Sequence, residues 1–308
     1  MPTAYLHTAF GGPETEAFAD LPRPVPGPGQ LLIAVRAAGV NPVDWKRRGG
    51  YRRAGGPPTD LPSVFGSEAA GVVEEVGPGV EGFAPGDEVF GSTDTGGYAE
   101  LTLLPAAGTA HKPAGLSWTD AATLPVAAAT AYDALVQLGL PAGATLLVNG
   151  VGGGVGVSAA QIARHAGLTV VGTASAAKGD FAKSLGVIPV ASGPGVADRV
   201  RAAAPGGVDG LLDLVGGDSL RELAPLVGER SRLVSGADKA LAVELGGSAI
   251  VRARTGAVLS AVAALVLDGA LDPHVTRTYP LAEADQALRA VESGHTRGKI
   301  ALTIPPRP

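Results

Sequence analysis

The chain has 308 residues, a formal net charge of −5 at pH 7, 45% hydrophobic residues and no cysteine. That apolar content describes a globular protein, and at roughly 100–200 residues per domain the length suits two domains. Without cysteine there is no disulfide, no thiolate nucleophile and no cysteine-ligated zinc, and the scattered charges leave no basic stripe for a nucleic acid.

The first residues, MPTAYLHTAFGG, carry no basic stretch followed by an apolar run, so no secretory signal is expected. No window approaches the run of about 20 apolar residues that spans a membrane. The stretch 258–267 is interrupted by Ser260 and is too short. A cytoplasmic location and no membrane partner are the expectation.

Residues 1–120 read as short strands and turns. Segments 30–40, 68–77 and 96–105 are β-rich, and 77–91 packs turns around a short strand. Pro and Gly punctuate this region as in a barrel-like all-β domain. The texture changes near Ser117. Residues 117–139 predict a helix, with Ser117 or Thr119 as its N-cap. Strand and helix then alternate: strand 145–150, helix 156–165, strand 169–175, helix 177–185, and further strands at 208–216 and 231–237. Such alternation predicts a parallel sheet covered on both faces. The tail, 274–304, reads strand, helix, strand. Its helix begins after Pro280 and sets Leu281, Ala284, Ala287, Leu288 and Val291 at helical spacing.

The segment VNGVGGGVGVS, 148–158, sits between a strand and a helix. It lacks the strict Gly-x-Gly-x-x-Gly spacing; Gly150, Gly153 and Gly156 give Gly-x-x-Gly-x-x-Gly. The physical tasks of a dinucleotide loop still fit. One glycine turns the chain, another admits a pyrophosphate, and Gly156 lets helix and strand pack closely. The N–H groups of Gly154, Val155 and Gly156 at the helix start would face the anion. The plainer alternative is a turn that merely packs against a neighbour.

An NAD site carries Asp or Glu about 20 residues further on, at the end of the second strand. Here Thr173, Ala174 and Ser175 stand there, and the first acid, Asp180, lies inside the next helix. Lys178 offers a point charge for a 2′-phosphate, and the hydroxyls of Thr173 and Ser175 can donate to it. This pattern argues for NADPH. The alternative is that Lys178 is a solvated helix residue.

The segments AAGVNPVDWKRRGGY, GSEAAGVVEEVGPGV, PGDEVFG, GGYAEL, KPAGLSWTDAATLPVAAATAYDAL, the glycine loop, LLDLVGG, RLVSGA and YPLAEADQALRAVESGHTRGKIALTI occur in that order. Together they resemble the medium-chain dehydrogenase/reductases, and most of all their zinc-free, NADPH-dependent quinone oxidoreductase branch, which includes zeta-crystallin. The resemblance runs almost end to end. It implies an α/β fold with a GroES-like, β-barrel-type catalytic domain over 1–120 and 267–308. A Rossmann domain with a doubly wound parallel sheet over 121–266 would be inserted between, with the cleft at the junction. It also implies a homodimer.

The metal-dependent relatives place Cys where this chain has Asn41 and His where it has Ser67. The five histidines, at 7, 111, 165, 274 and 295, stand far apart, so no metal site is expected. By resemblance, Asn41 could reach the nicotinamide or substrate; Asn before Pro42 is also a turn residue. Thr130 matches a threonine near the nicotinamide, and as a helix hydroxyl it can instead bond back to the preceding turn. Tyr51 matches a cleft tyrosine able to donate a proton, or a loop aromatic that covers the cofactor. Gly236 and Lys299 would border the cleft. Asp44 and Lys46 receive no catalytic role, and the cluster Arg47, Arg48, Arg52 and Arg53 reads as a solvated loop.

The expected function is a zinc-independent reductase that passes hydride from NADPH to a quinone or an α,β-unsaturated carbonyl. The alternatives are a metal-dependent alcohol dehydrogenase, against which the missing ligands argue, and a non-catalytic NADPH-binding protein.

Overall fold

The computed structural model describes residues 1–52, 60–294 and 296–306. Of the residues singled out in the sequence, Arg53 and His295 fall outside these ranges. In chain order the chain begins with β1 (Thr3–His7), β2 (Glu16–Asp20), β3 (Gln30–Val40), α1 (Pro42–Arg48), β4 (Ser63–Val64) and β5 (Glu68–Val76). Next come β6 (Glu88–Ser92), β7 (Leu101–Pro105), β8 (Thr109–His111), α2 (Trp118–Thr123) and α3 (Ala129–Leu138). The alternating middle holds β9 (Thr145–Asn149), α4 (Gly154–His165), β10 (Thr169–Ala174), α5 (Gly179–Ser184), β11 (Ile188–Ala191) and α6 (Val196–Ala203). It continues with β12 (Gly210–Asp213), α7 (Gly217–Leu223), β13 (Leu233–Ser235), α8 (Lys239–Glu244) and β14 (Ser248–Ala249). The chain closes with α9 (Gly256–Leu267), β15 (Val275–Pro280), α10 (Ala284–Glu292) and β16 (Lys299–Thr303).

Two compact units result. One comprises Met1–Val126, Arg254–Ala264 and Val275–Pro308; the other comprises Ala127–Ala253 and Leu265–His274. The sequence reading set its boundaries at 120/121 and 266/267.

The first unit is a GroES-like sheet of seven strands in the order β15-β16-β3-β5-β6-β8, with β7 also on β3, beside a three-stranded sheet β2-β1-β4. β3 organises it because both of its faces are apolar. Leu31, Ile33 and Val35 enter the main core, while Leu32 and Ala34 join Leu101 and Leu103 in a second cluster. This is the period-two alternation of a strand covered on both sides. The apolar stripe foreseen in the tail, Leu281, Ala284, Ala287, Leu288 and Val291, is buried in the main core.

The second unit is a six-stranded sheet in the order β11-β10-β9-β12-β13-β14. Its described pairings are all parallel. This is the doubly wound Rossmann order, whose chain direction across the sheet switches at β9. Leu147, Val171, Leu211 and Leu233 pack against residues of α6, α7 and α8 on one face.

The helix expected over 117–139 is interrupted. Ser117 caps α2, its Oγ accepting the Asp120 N–H at 3.0 Å. Leu124–Ala128 then forms a π-helical turn before α3 begins. Pro125 lies in that turn; it has no N–H to give and its ring crowds the preceding turn, which disfavours a continuous α-helix.

Candidate functional site

Two buried polar constellations stand out, one in each unit. In the first unit β3 ends at Val40, and Asn41 begins α1. Its backbone N–H donates to Asp44 Oδ2 at 2.9 Å, so the first turn is capped by Asp44. The Asn41 side chain is therefore used elsewhere. Its Nδ2 donates to Glu68 Oε1 at 2.7 Å, and its Oδ1 accepts from Lys299 Nζ at 2.5 Å. Lys299 Nζ also donates to Glu68 Oε1 at 2.8 Å and to the Val40 carbonyl at 3.3 Å. Glu68 is fully buried and Lys299 is 4% exposed. Glu68 Oε2 takes the Val126 N–H at 2.6 Å. Asn41 is thus more than a turn residue. Its amide is oriented by a carboxylate on one side and an ammonium on the other, and its second Nδ2 hydrogen has no partner among the described residues.

Asp44 is buried beneath this triad. Its Oδ1 accepts from Ser67 Oγ and its Oδ2 from the Tyr98 hydroxyl, both at 2.9 Å. Burial holds the Asp44 carboxyl above the usual carboxylate range, against the opposing pull of those hydrogen bonds and of Arg47. Burial, helped by the Asp44 charge, drives the Tyr98 phenol well above its ordinary value. The arginine cluster is not uniformly solvated. Arg48 is buried and ion-paired with Glu16 and with Glu292, because its side chain is turned into the unit. Arg47 is exposed and reaches Ser67 Oγ at 3.3 Å. Tyr51 follows α1 and is 49% exposed.

In the second unit the glycine loop joins β9 to α4. Gly150 adopts φ +94, a region that costs other residues. A Cβ on Gly156 would come within 2.5 Å of the Gly150 carbonyl, so this close approach admits only glycine. Gly153 is the extended N-cap of α4, and Gly154, Val155 and Gly156 form its first turn. The alkyl stem of Lys178 lies over the loop: a Cβ on Gly152 would meet Lys178 Cδ at 2.7 Å. Ser175 is exposed at the end of β10.

Thr173 departs from the sequence expectation. It is buried, and its one proton goes to Asn149 Oδ1 at 2.6 Å, while its oxygen accepts the Gly150 N–H at 3.0 Å. It therefore supports the loop from beneath and has no proton to offer a phosphate. The Thr130 hydroxyl oxygen accepts from the Arg252 guanidinium, which also donates to Asp133 Oδ2 at 3.0 Å. Gly236 follows β13, its N–H on the Asp213 carbonyl at 2.9 Å.

The sequence reading missed the residues that link these strand ends. Asp213 Oδ1 accepts from Asn149 Nδ2 at 2.8 Å and from the N–H groups of Val215 and Gly216 at 3.2 and 3.0 Å. Its Oδ2 accepts from Ser235 Oγ at 2.6 Å. Only the polar residues ending otherwise apolar strands, as in VN, LLD and LVS, could have signalled it.

Comparison with known proteins fits this geometry. The family described as "Alcohol dehydrogenase GroES-like domain" matches residues 27–114, and "Zinc-binding dehydrogenase" matches 185–302. The quinone oxidoreductase of Homo sapiens is 44% identical over 175 residues, 55% of this chain and 52% of that protein. The spectinabilin polyketide synthase system protein NorB of Streptomyces orinoci is 38% identical over 303 residues, 91% of this chain but 13% of that protein. The chain thus spans about half the length of the one relative and a small part of the other. The quinone oxidoreductase structure from Coxiella burnetii superposes with a TM-score of 0.88 at 29% identity, covering 99% of both chains. Fold and matches together define the class: a GroES-like domain joined to a Rossmann domain, the build of an oxidoreductase family whose members use a nicotinamide cofactor. The chain belongs to the medium-chain dehydrogenase/reductase superfamily, in its quinone oxidoreductase branch.

The nicotinamide dinucleotide fits the loop, since Gly150 and Gly156 keep a cradle that side chains would fill. Zinc does not fit the pair Asn41 and Ser67, where the resemblance places its ligands. Asn41 and Ser67 are poor zinc ligands, and the ammonium of Lys299 already lies 2.5 Å from Asn41 Oδ1. Among the described residues no group of three or more His, Cys, Asp or Glu could hold a metal ion, and no helix is long and apolar enough to cross a membrane.

Proposed function

We propose that the chain is a zinc-independent reductase that passes hydride from NADPH to a quinone or to the β-carbon of an enone. The observation that carries the NADPH assignment is the Lys178 stem lying across Gly152, beside a β10 end that bears no acid. When bound, the nicotinamide supplies the hydride. The N–H groups of Gly154, Val155 and Gly156 receive the pyrophosphate, while Lys178 and Ser175 meet the 2′-phosphate. Asn41, with its amide oriented by Glu68 and Lys299, offers its second N–H to a carbonyl oxygen. Thr130 and Gly236 line the nicotinamide side, and Tyr51 gives a proton to the reduced enone. A quinone can take its proton from water.

Lys178→Ala tests the assignment. NADPH affinity should fall about tenfold or more while NADH is nearly untouched; equal losses would sink it. The proposal includes a cytoplasmic homodimer, which a monomer mass by light scattering would remove. A second reading, reduction of an enoyl thioester during polyketide assembly, is supported by the 38% identity to NorB over 91% of the chain.

A further inference from the structure

We infer that Asp213 is a positioning residue that sets the loops of the nicotinamide half of the cofactor site, with Ser235 as its arm to the β13 turn. The inference rests on the dinucleotide reading of the glycine loop and extends it to residues on two other strands.

Asp213 is fully buried. A carboxylate in that position loses its hydration and needs compensation. Among the described residues its donors are all neutral: the Asn149 amide, the Ser235 hydroxyl and two backbone N–H groups. For an apolar core an apolar side chain would cost less, so the arrangement points to what the donors hold in place.

They hold three chain segments. The N–H groups of Val215 and Gly216 fix the turn between β12 and α7. Ser235, while donating to Asp213, accepts the N–H groups of Ala237 and Asp238 at 3.1 and 2.9 Å, which fixes the turn after β13. Asn149 accepts from Thr173 and from Ser219 Oγ, and Thr173 takes the first N–H of the glycine loop. All three segments leave the carboxyl ends of parallel strands, where a doubly wound sheet binds its ligand. β12 and β13 lie on one side of β9, and β10 with Lys178 beyond it lies on the other. Asp213 holds the turns after β12 and β13 directly or through Ser235 and reaches β10 only through Asn149 and Thr173, so it acts mainly on the nicotinamide half.

The test is calorimetric titration of the full chain with NADPH and, separately, with 2′,5′-ADP, for the parent, Ser235→Ala, Ser235→Thr and Asp213→Asn. In Ser235→Ala and Asp213→Asn the NADPH Kd should rise about tenfold, the effect of one lost hydrogen bond to a charged group. The 2′,5′-ADP Kd should stay within about twofold, and Ser235→Thr, which keeps the hydroxyl, should restore NADPH binding. Should Asp213→Asn not fold, Ser235→Ala carries the test. Equal weakening of both ligands would reduce the network to a general structural role and overturn the inference, as would unchanged NADPH binding in Ser235→Ala. A parent that binds NADPH beside unaltered variants overturns only this inference; a parent that does not bind NADPH overturns the cofactor reading as well.

Discussion

Replacing Lys299 with methionine removes the ammonium and keeps the length of the side chain. Among the described residues Glu68 would then remain fully buried with the Asn41 amide and the Val126 N–H as its donors. Asn41 Oδ1 and the Val40 carbonyl would each lose a donor. Breaking a buried pair by removing one partner costs about 3–5 kcal/mol. At roughly 2–4 °C per kcal/mol for a chain of this order of size, Tm should fall by about 6–20 °C. Removing the stranded charge should recover much of this. The double variant Glu68→Gln, Lys299→Met is expected to be at least about 2 kcal/mol more stable than Lys299→Met alone. Urea midpoints at unchanged slope would measure both. A Lys299→Met loss below about 1 kcal/mol, or a double variant at the sum of the single losses, would refute the argument that these groups form one buried unit.

Asp44 gives a pH test. Its carboxyl is held above its ordinary value by burial, so the protonated form favours the folded state. That contribution is full below the ordinary carboxylate range and is lost as pH rises through the folded value. Asp44→Asn should cost about 1–3 kcal/mol through mismatched donors, and the gap to the parent should narrow from acid to neutral pH; a widening gap in urea melts would reverse the assignment. Tyr51→Phe should slow enone turnover about tenfold or more and spare quinones; enone reduction at the parental rate would remove the phenol from the reaction.

The sequence made some of this legible because the deciding interactions are local. The glycine loop lies between adjacent elements, and the tail helix shows its buried stripe as a spacing of three and four residues. The rest depends on register. Asn149 meets Asp213 because β9 and β12 pair in parallel with Asn149 opposite Asp213. Lys299 reaches Glu68 across 231 residues, through β16 on β3 and β3 on β5. Neither pairing is written in a periodic pattern. Thr173 differs from its expected role for the same reason: a hydroxyl at a strand end faces outward or downward according to the neighbouring strand, and here it donates to Asn149 Oδ1.

The most direct test is NADPH and NADH oxidation by chelator-treated protein across a panel of quinones and enones. The account predicts turnover that prefers NADPH and survives the chelator. Activity that disappears with the chelator and returns with zinc, or no NADPH binding at all, would contradict it.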